Sequence, residues 1–401
     1  MTSTPASGPS RYPRVTLVEE GMREGMQIES ASISVEDKIA LLDALSKTGL
    51  QNIVVGSFVS PKWTPQMAEI DAIVNGFTPE PGVRYTALAL NERGRERMRA
   101  YMPPLSIVHP YPRTLVHVCD VFVRRNTNRS QEEEIAAVPG VIEAAVAAGQ
   151  TDAGIGVNAA WGSNWLGEFS LEQRMDLLRR QHKMWTEAGL RVREVFIGDP
   201  MGWNVPDRVE EQVLAIRAEW PEIDRFHLHL HNTRGTAPIS VYTALRALDP
   251  DCELVLDSTI GGIGGCPYCG NGRLTGMMPT EDLVDLLEEL GIPTGVDLDR
   301  LVEVVVLAEK IIGRELYGHV SKAGPRPRGD RLYAMDMPFI ETTAEAQHFR
   351  LGPSVYDGAL SPWKQAIVSP ARDALEQDGR TEARTETGIE ADMNTDKGRE
   401  A

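Results

Sequence analysis

The stretch Arg225-Phe226-His227-Leu228-His229-Leu230-His231-Asn232 constrains this chain more than any other. Its histidines fall at every second position, and a strand sends every second side chain to the same face. Read as a strand, it lines three imidazoles along one side and packs Phe226, Leu228 and Leu230 behind them. Thr233-Arg234-Gly235 then breaks the strand and leads into Ala237–Leu248, whose spacing predicts a helix. The histidines therefore sit at the carboxyl end of a strand in a strand–loop–helix unit. Imidazoles there can serve as polar fillers of a barrel strand, or they can bind a metal, for which neutral imidazole is a common ligand. Three of the chain's eight histidines within five residues favour a metal or catalytic role.

A chain of 401 residues can bury a large core, and 42% hydrophobic with 25% charged residues is ordinary for a soluble globular protein. The net charge of -17 argues against nucleic acid or an anionic membrane as main partner, since both call for clustered Lys and Arg. It leaves room for a small acidic substrate, because a site is set by local residues. Four cysteines (Cys119, Cys252, Cys266 and Cys269) are too few for a disulfide scaffold. No apolar run approaches the length of a membrane span. Residues 1–13 lack the basic start and apolar core of a secretory signal and read as a flexible leader, with cytoplasm as the expected address.

From Arg14 onward, short apolar runs alternate with longer amphipathic ones. Strands are expected at Val15–Glu19, Asn52–Ser57, Val83–Ala89, Leu115–Cys119, Gly154–Asn158, Glu194–Ile197, the histidine stretch and Cys252–Leu256, with helices between them. Ser34 with Asp37, for example, marks a helix start that runs toward Gly49. Such a repeat over residues 14–295 predicts an α/β fold, the parallel (β/α)₈ TIM barrel. The main rival, an open doubly wound sheet, would usually carry a Gly-x-Gly-x-x-Gly turn after its first strand, where this chain has Gly21-Met22-Arg23-Glu24-Gly25. In a barrel the chemistry collects at the carboxyl ends of the strands. That rule brings Glu19, Arg23, Glu24, Asp199, His229, His231 and the loop after the eighth strand to one mouth. Residues 296–370 read as a C-terminal helix and an aromatic, proline-rich extension that packs on the mouth or on another subunit, and residues 371–401 as a disordered tail.

Glu24 with His229 and His231 makes a mixed oxygen and nitrogen set for a divalent cation. Magnesium, manganese, iron, cobalt and zinc all suit such a set. Arg23 offers a planar fork for a substrate carbonyl or carboxylate, or else a surface ion pair with Glu24. The glycine-rich run Gly261–Gly272 contains Cys266 and Cys269, with no second Cys-x-x-Cys pair to complete a structural zinc site. They read either as a redox pair or, preferably, as a site in which Cys266 is a thiol acid or base on a mobile loop.

With these residues in view, the chain resembles 3-hydroxy-3-methylglutaryl-CoA lyase, of the metal-dependent lyase and acyl-transfer TIM-barrel superfamily, from about Val15 to Ile312. Its most specific pieces are Ser57-Phe58-Val59-Ser60-Pro61-Lys62-Trp63 with Pro65-Gln66-Met67, and Gly261–Tyr268 with Thr280-Glu281-Asp282-Leu283-Val284. Arg23-Glu24-Gly25-Met26-Gln27 is similar to the family's Arg-Asp-Gly-Leu-Gln, and His229-Leu230-His231-Asn232-Thr233 to its His-Cys-His-Asp-Thr. The resemblance implies a divalent cation, magnesium or manganese before zinc or cobalt, on Glu24, His229 and His231. It also implies Arg23 steadying an enolate oxygen, Asp199 facing a substrate hydroxyl and Cys266 protonating a carbanion. His227 has no counterpart and takes a structural place one layer deeper in the barrel. The implied reaction is a retro-Claisen or retro-aldol cleavage.

The departures gather at the mouth. The family's metal-binding aspartate is Glu24, its strand-two glutamate falls at Val54, and the asparagine that completes its metal shell falls at Met277, with Asn271 as the nearest substitute ligand. The expected activity is therefore carbon–carbon cleavage of a 3-hydroxy acyl-CoA or a hydroxylated di- or tricarboxylate, on a substrate that can differ from the methylglutaryl thioester. An acyl-transferring synthase, making a 2-alkylmalate from acetyl-CoA and a 2-keto acid, is one alternative. A non-catalytic metal-binding barrel is the other. A small acidic substrate, a CoA thioester among the candidates, and a homodimer are the expected partners.

Overall fold

The alternation of apolar runs becomes eight parallel strands in a single sheet ordered β3-β2-β1-β8-β7-β6-β5-β4. They are β1 (Arg14–Glu19), β2 (Asn52–Ser57), β3 (Arg84–Leu88), β4 (Val116–His117), β5 (Asp152–Asn158), β6 (Arg191–Asp199), β7 (Arg225–Leu230) and β8 (Glu253–Ser258). The computed structural model describes residues 11–107, 109–266 and 276–332. The first strand pairs with both the second and the last, and an open doubly wound sheet does not do this. The curled sheet is the expected TIM barrel. Beyond β3, Tyr85 makes a parallel bridge to Leu105, in the segment that leads to β4.

The strands are buried on both faces, because helices cover the outside and side chains fill the lumen. On β7, Phe226, Leu228 and Leu230 join the apolar layer, while His227 is inside against Phe196 at a ring distance of 5.0 Å. The helices start where short polar side chains can cap them. Ser34 Oγ accepts from Asp37 N at 3.0 Å to open α1 (Val35–Ser46). Reciprocal capping boxes open α2 (Gln131–Ala147) through Ser130 and Glu133, and α3 (Leu171–Glu187) through Ser170 and Gln173. Leu41, Leu42 and Leu45 of α1 are fully buried, as the apolar stripe of that segment requires.

One compact unit extends to Ser321 and so includes the helix Leu298–Ile312, which buries Leu301, Val304, Val305 and Ala308. A second begins at Lys322 and is described only through residue 332, where Gly329–Arg331 forms a 3-10 turn. The leader up to residue 10, the aromatic extension beyond residue 332 and the tail lie outside the described residues. Among the described residues no helix is long and apolar enough to cross a membrane.

The lower lumen is charged. Arg225 lies between Glu194, at 2.8 Å, and Glu253, which also meets Arg14 at 2.7 Å and accepts from Thr16 Oγ1 at 2.6 Å. Arg113 reaches in over the Phe196 ring at 4.4 Å and meets Glu194 at 3.3 Å. Buried charges persist where each has a partner, and here they alternate in sign.

Candidate active site

Glu20 follows β1 and turns the chain sharply. Its carbonyl accepts from the amides of Arg23 at 2.9 Å, Glu24 at 2.7 Å and Gly25 at 3.2 Å, a widened π turn of the kind that recurs at functional sites. This turn aims Arg23 and Glu24 at the barrel mouth. The glycine loop closes over it so tightly that a Cβ on Gly264 would lie 3.1 Å from the Glu24 carbonyl oxygen. The φ of +113° at Gly264 also favours glycine.

Glu24, His229 and His231 each offer one ligand atom, and the three atoms lie within 4.8 Å of one another. His231 Nε2 stands 3.7 Å from Glu24 Oε1. The other Glu24 oxygen is held by Arg23 and by Gln27 Nε2 at 3.0 Å. That division leaves Oε1 on the imidazole side. His229 Nδ1 donates to Asp257 Oδ2 at 2.9 Å, because an ionised carboxylate can only accept. The proton of neutral His229 is thereby placed on Nδ1, and the Nε2 lone pair is turned to the mouth. A metal-binding histidine is normally held in this way by a carboxylate behind it.

The local charge fits a cation. Burial works against charge on Glu24, yet Arg23, His229 and His231 outweigh it and hold the carboxyl below its usual range. Burial likewise opposes ionisation of Asp257, but His227 and His229 keep it well below the ordinary aspartate range. Glu20 is raised by burial against the pull of Arg23, with Asp257 and Glu24 pushing the same way as burial. Three carboxylates thus lie near one guanidinium in a largely buried pocket. A divalent ion would offset that excess of negative charge, and one oxygen with two imidazole nitrogens is a donor set such an ion accepts.

The family profile described as HMGL-like matches residues 14–307. The chain belongs to the HMGL-like family. It is 33% identical over 311 residues to the mitochondrial hydroxymethylglutaryl-CoA lyase of Mus musculus, covering 77% of this chain and 89% of that one. The solved HMG-CoA lyase of Bacillus subtilis superposes with a TM-score of 0.64 at 30% identity, over 79% of this chain and 99% of that one. A solved HMG-CoA lyase from Acinetobacter baumannii, in complex with coenzyme A and 3-methylmalate, has a TM-score of 0.64 at 25% identity and covers 84% of this chain and all of the other, 100%. As a member of the HMGL-like family, the chain is a carbon–carbon lyase, which sets aside the non-catalytic barrel.

The other residues expected at this HMGL-like mouth stand as follows. Cys266 is a partly buried free thiol near enough to Arg23 to act on it electrostatically. Asn271 and Cys269 lie outside the described residues. Asp199 is fully buried. Its Oδ1 accepts from Trp203 N at 3.0 Å, and its Oδ2 accepts from the backbone and side-chain nitrogens of Asn204, both at 2.7 Å. Those bonds commit the carboxylate to shaping the loop 200–204. Val54 is buried, and Met277 forms a bridge to His231 through the backbone. The register that sets Glu19 opposite Ile53 brings Glu20 alongside Val54, so a carboxylate stands one strand over from the position where it is missing. Sequence reasoning passed over Glu20, Asp257 and Arg113. Asp257 lies one residue beyond the expected end of β8, Glu20 is hidden in a Glu-Glu pair, and Arg113 carries no local signal in Tyr111-Pro112-Arg113.

Glu19 and Glu281 lie beneath the glycine loop and hold its backbone. Glu19 Oε1 accepts from Gly21 N at 2.7 Å and Ile260 N at 2.9 Å, and Glu281 Oε2 accepts from Gly261 N at 2.9 Å. Burial raises Glu19 to about 7 and Glu281 to about 8. An unfolded glutamate loses its proton near pH 4.5, whereas folded Glu281 keeps it until about pH 8. Folding therefore binds a proton across that window, and stability falls as pH rises through it. We expect the melting temperature to decline between pH 5 and 9. Glu281→Gln, which keeps the acceptor for Gly261, should flatten that decline by on the order of a few kcal/mol at the alkaline end. Parallel wild-type and variant slopes in calorimetry would refute this role for Glu281.

Proposed function

We propose that this lyase requires a divalent cation, magnesium or manganese before zinc or cobalt, and cleaves a 3-hydroxy acyl-CoA or a hydroxylated dicarboxylate. The observation that carries this reading is the convergence of Glu24, His229 and His231 within 4.8 Å at the carboxyl ends of β1 and β7, with Arg23 beside them. The solved relative whose complex contains coenzyme A and 3-methylmalate supports both substrate classes.

When bound by Glu24, His229 and His231, the cation would supply Lewis-acid polarisation of the substrate's oxygens. The chain's own residues account for the remaining steps. Because Asp199 is committed to its loop, Glu20 is the mouth carboxylate left to take the substrate's hydroxyl proton. As that proton leaves, the oxygen's electron pair forms a carbonyl and the adjacent C–C bond breaks. Its electrons pass into the enolate of the departing fragment. Arg23 holds the enolate oxygen through the face of its guanidinium not spent on Glu24 and Glu20. Cys266 then gives its thiol proton to the enolate carbon. Its position on a loop fastened by Glu19 and Glu281 keeps that donor over the mouth.

The test is a panel of 3-hydroxy acyl-CoA thioesters and 2-alkylmalates incubated with the full chain and Mg²⁺ or Mn²⁺. Cleavage of at least one to a carbonyl product and an acyl fragment is expected, lost on chelation and restored by the ion. The Glu20→Gln variant should retain the ion but cleave roughly 10²-fold or more slowly. Failure to cleave any member with either ion would sink the reading. Glu20→Gln at full rate would remove Glu20 from it.

A further inference from the structure

The carboxylate behind His229 is shared, and the structure fixes the direction of every hydrogen bond in the array. His227 Nε2 lies 2.7 Å from Asp257 Oδ1, while His229 Nδ1 lies 2.9 Å from Asp257 Oδ2, so one carboxylate bridges two imidazoles. Asp257 is fully engaged.

On its far side, His227 Nδ1 lies 3.3 Å from Arg113 Nη1. A guanidinium can only donate, so His227 Nδ1 must accept and its ring proton must sit on Nε2. That proton is then directed at Asp257. The array reads Arg113→His227→Asp257←His229, and no member can reverse without setting donor against donor. Arg113 itself is held by Glu194 Oε1 at 3.3 Å, by His109 Nε2 at 3.1 Å and by the Phe196 ring beneath its guanidinium at 4.4 Å. Phe196 also packs edge-on against His227, at a ring distance of 5.0 Å, which fixes the tilt of the imidazole.

We propose that His227 is a positioning residue: set in one tautomer by Arg113, it orients Asp257 so that His229 presents a bare Nε2 lone pair to a divalent cation. This rests on the reading of Glu24, His229 and His231 as the cation site. It gives His227 a function that the structural place expected for it in the barrel did not include. Without the His227 donor, Asp257 Oδ1 is left buried and unmet, and the carboxylate can turn away from His229. Partners of this kind behind a metal ligand typically contribute about 10- to 100-fold in affinity.

Glutamine can replace both roles of this ring, since its amide oxygen can accept from Arg113 while its NH₂ donates to Asp257. Phenylalanine keeps the volume and loses both. Binding of Mn²⁺ to the full chain, followed by the electron paramagnetic resonance of the free ion, should weaken about tenfold in His227→Phe and return to within about threefold of wild type in His227→Gln. Equal affinity in wild type and His227→Phe overturns the proposal while leaving the cation site intact. Equal loss in the phenylalanine and glutamine variants also overturns it, since shape and not donor direction would then matter. A wild-type chain that takes up no Mn²⁺ overturns the cation reading and the proposal with it, and that failure shows before any variant is made.

A second measurement needs neither metal nor variant. Long-range ¹H–¹⁵N spectra of the metal-free chain labelled at histidine should show opposite tautomers two residues apart, Nε2–H at His227 and Nδ1–H at His229. The same tautomer at both would overturn the proposal even if both variants failed to fold.

Discussion

Replacing His229 and His231 together by alanine is expected to abolish stoichiometric binding of a divalent cation and to lower cleavage by roughly 10³-fold. The size follows from what the ion supplies. Polarisation of a substrate oxygen by a bound cation is worth several kcal/mol of transition-state stabilisation, and about 4 kcal/mol corresponds to about three powers of ten in rate. The substitutions remove two of the three ligand atoms, while Asp257 stays bonded to His227 and Glu24 Oε2 stays with Arg23, so a single Glu24 oxygen is left for the ion. The barrel should survive. Phe226, Leu228 and Leu230 supply the apolar side of β7, and none of them is touched. Metal analysis of the dialysed variant, its rate on the substrate that wild type cleaves and its thermal melt together decide the matter. A folded variant with unchanged rate would show that these histidines do not hold the catalytic ion.

The residues that were legible in the sequence are those whose chemistry repeats locally. The alternation of β7 announced both a strand and a face, so His229 and His231 could be placed at a mouth before any contact was known. The eight strands were legible for the same reason, since each is a short apolar run between a helix end and a helix start. What escaped notice depends on pairing between distant segments. Asp257 matters because β8 lies beside β7 in a register that sets Leu256 against Leu228 and carries the aspartate to the histidine layer, and no local pattern encodes that register. Arg113 precedes β4 yet reaches across the lumen to a histidine far along the chain, a contact fixed by the barrel's curvature. Asp199 shows the other side of the same limit. Its Gly-Asp position at the end of β6 was correctly placed, but its oxygens are taken by the amides of the loop that follows. A residue's place on a strand was readable; the direction of its last two bonds was not.

The second large effect is expected from Asp257→Asn, a change of one atom that keeps size and shape. Asparagine has one accepting oxygen and one donating NH₂, whereas the site holds two imidazoles that both donate, His227 through Nε2 and His229 through Nδ1. Only two arrangements are open. If the NH₂ faces His229, that ring must present a bare Nδ1, so its proton moves to Nε2 and points at the space between Glu24 and His231 where the ligand atoms converge. If the NH₂ faces His227, that ring must bare Nε2 and carry its proton on Nδ1, directly against the Arg113 guanidinium. The second arrangement buries donor against donor, at a cost of about 1–3 kcal/mol. The first avoids that cost and spoils the ligand, so it should prevail. Cation affinity is then expected to fall about 100-fold. The cleavage rate should fall further still, because any ion that binds must first displace a proton from His229. Histidine ¹⁵N spectra of Asp257→Asn should show His229 switched to the Nε2–H tautomer with His227 unchanged. Should the variant keep wild-type affinity and the Nδ1–H tautomer at His229, the carboxylate would not be what orients this ligand. The array would then be a packing feature of the lumen and not part of the cation site.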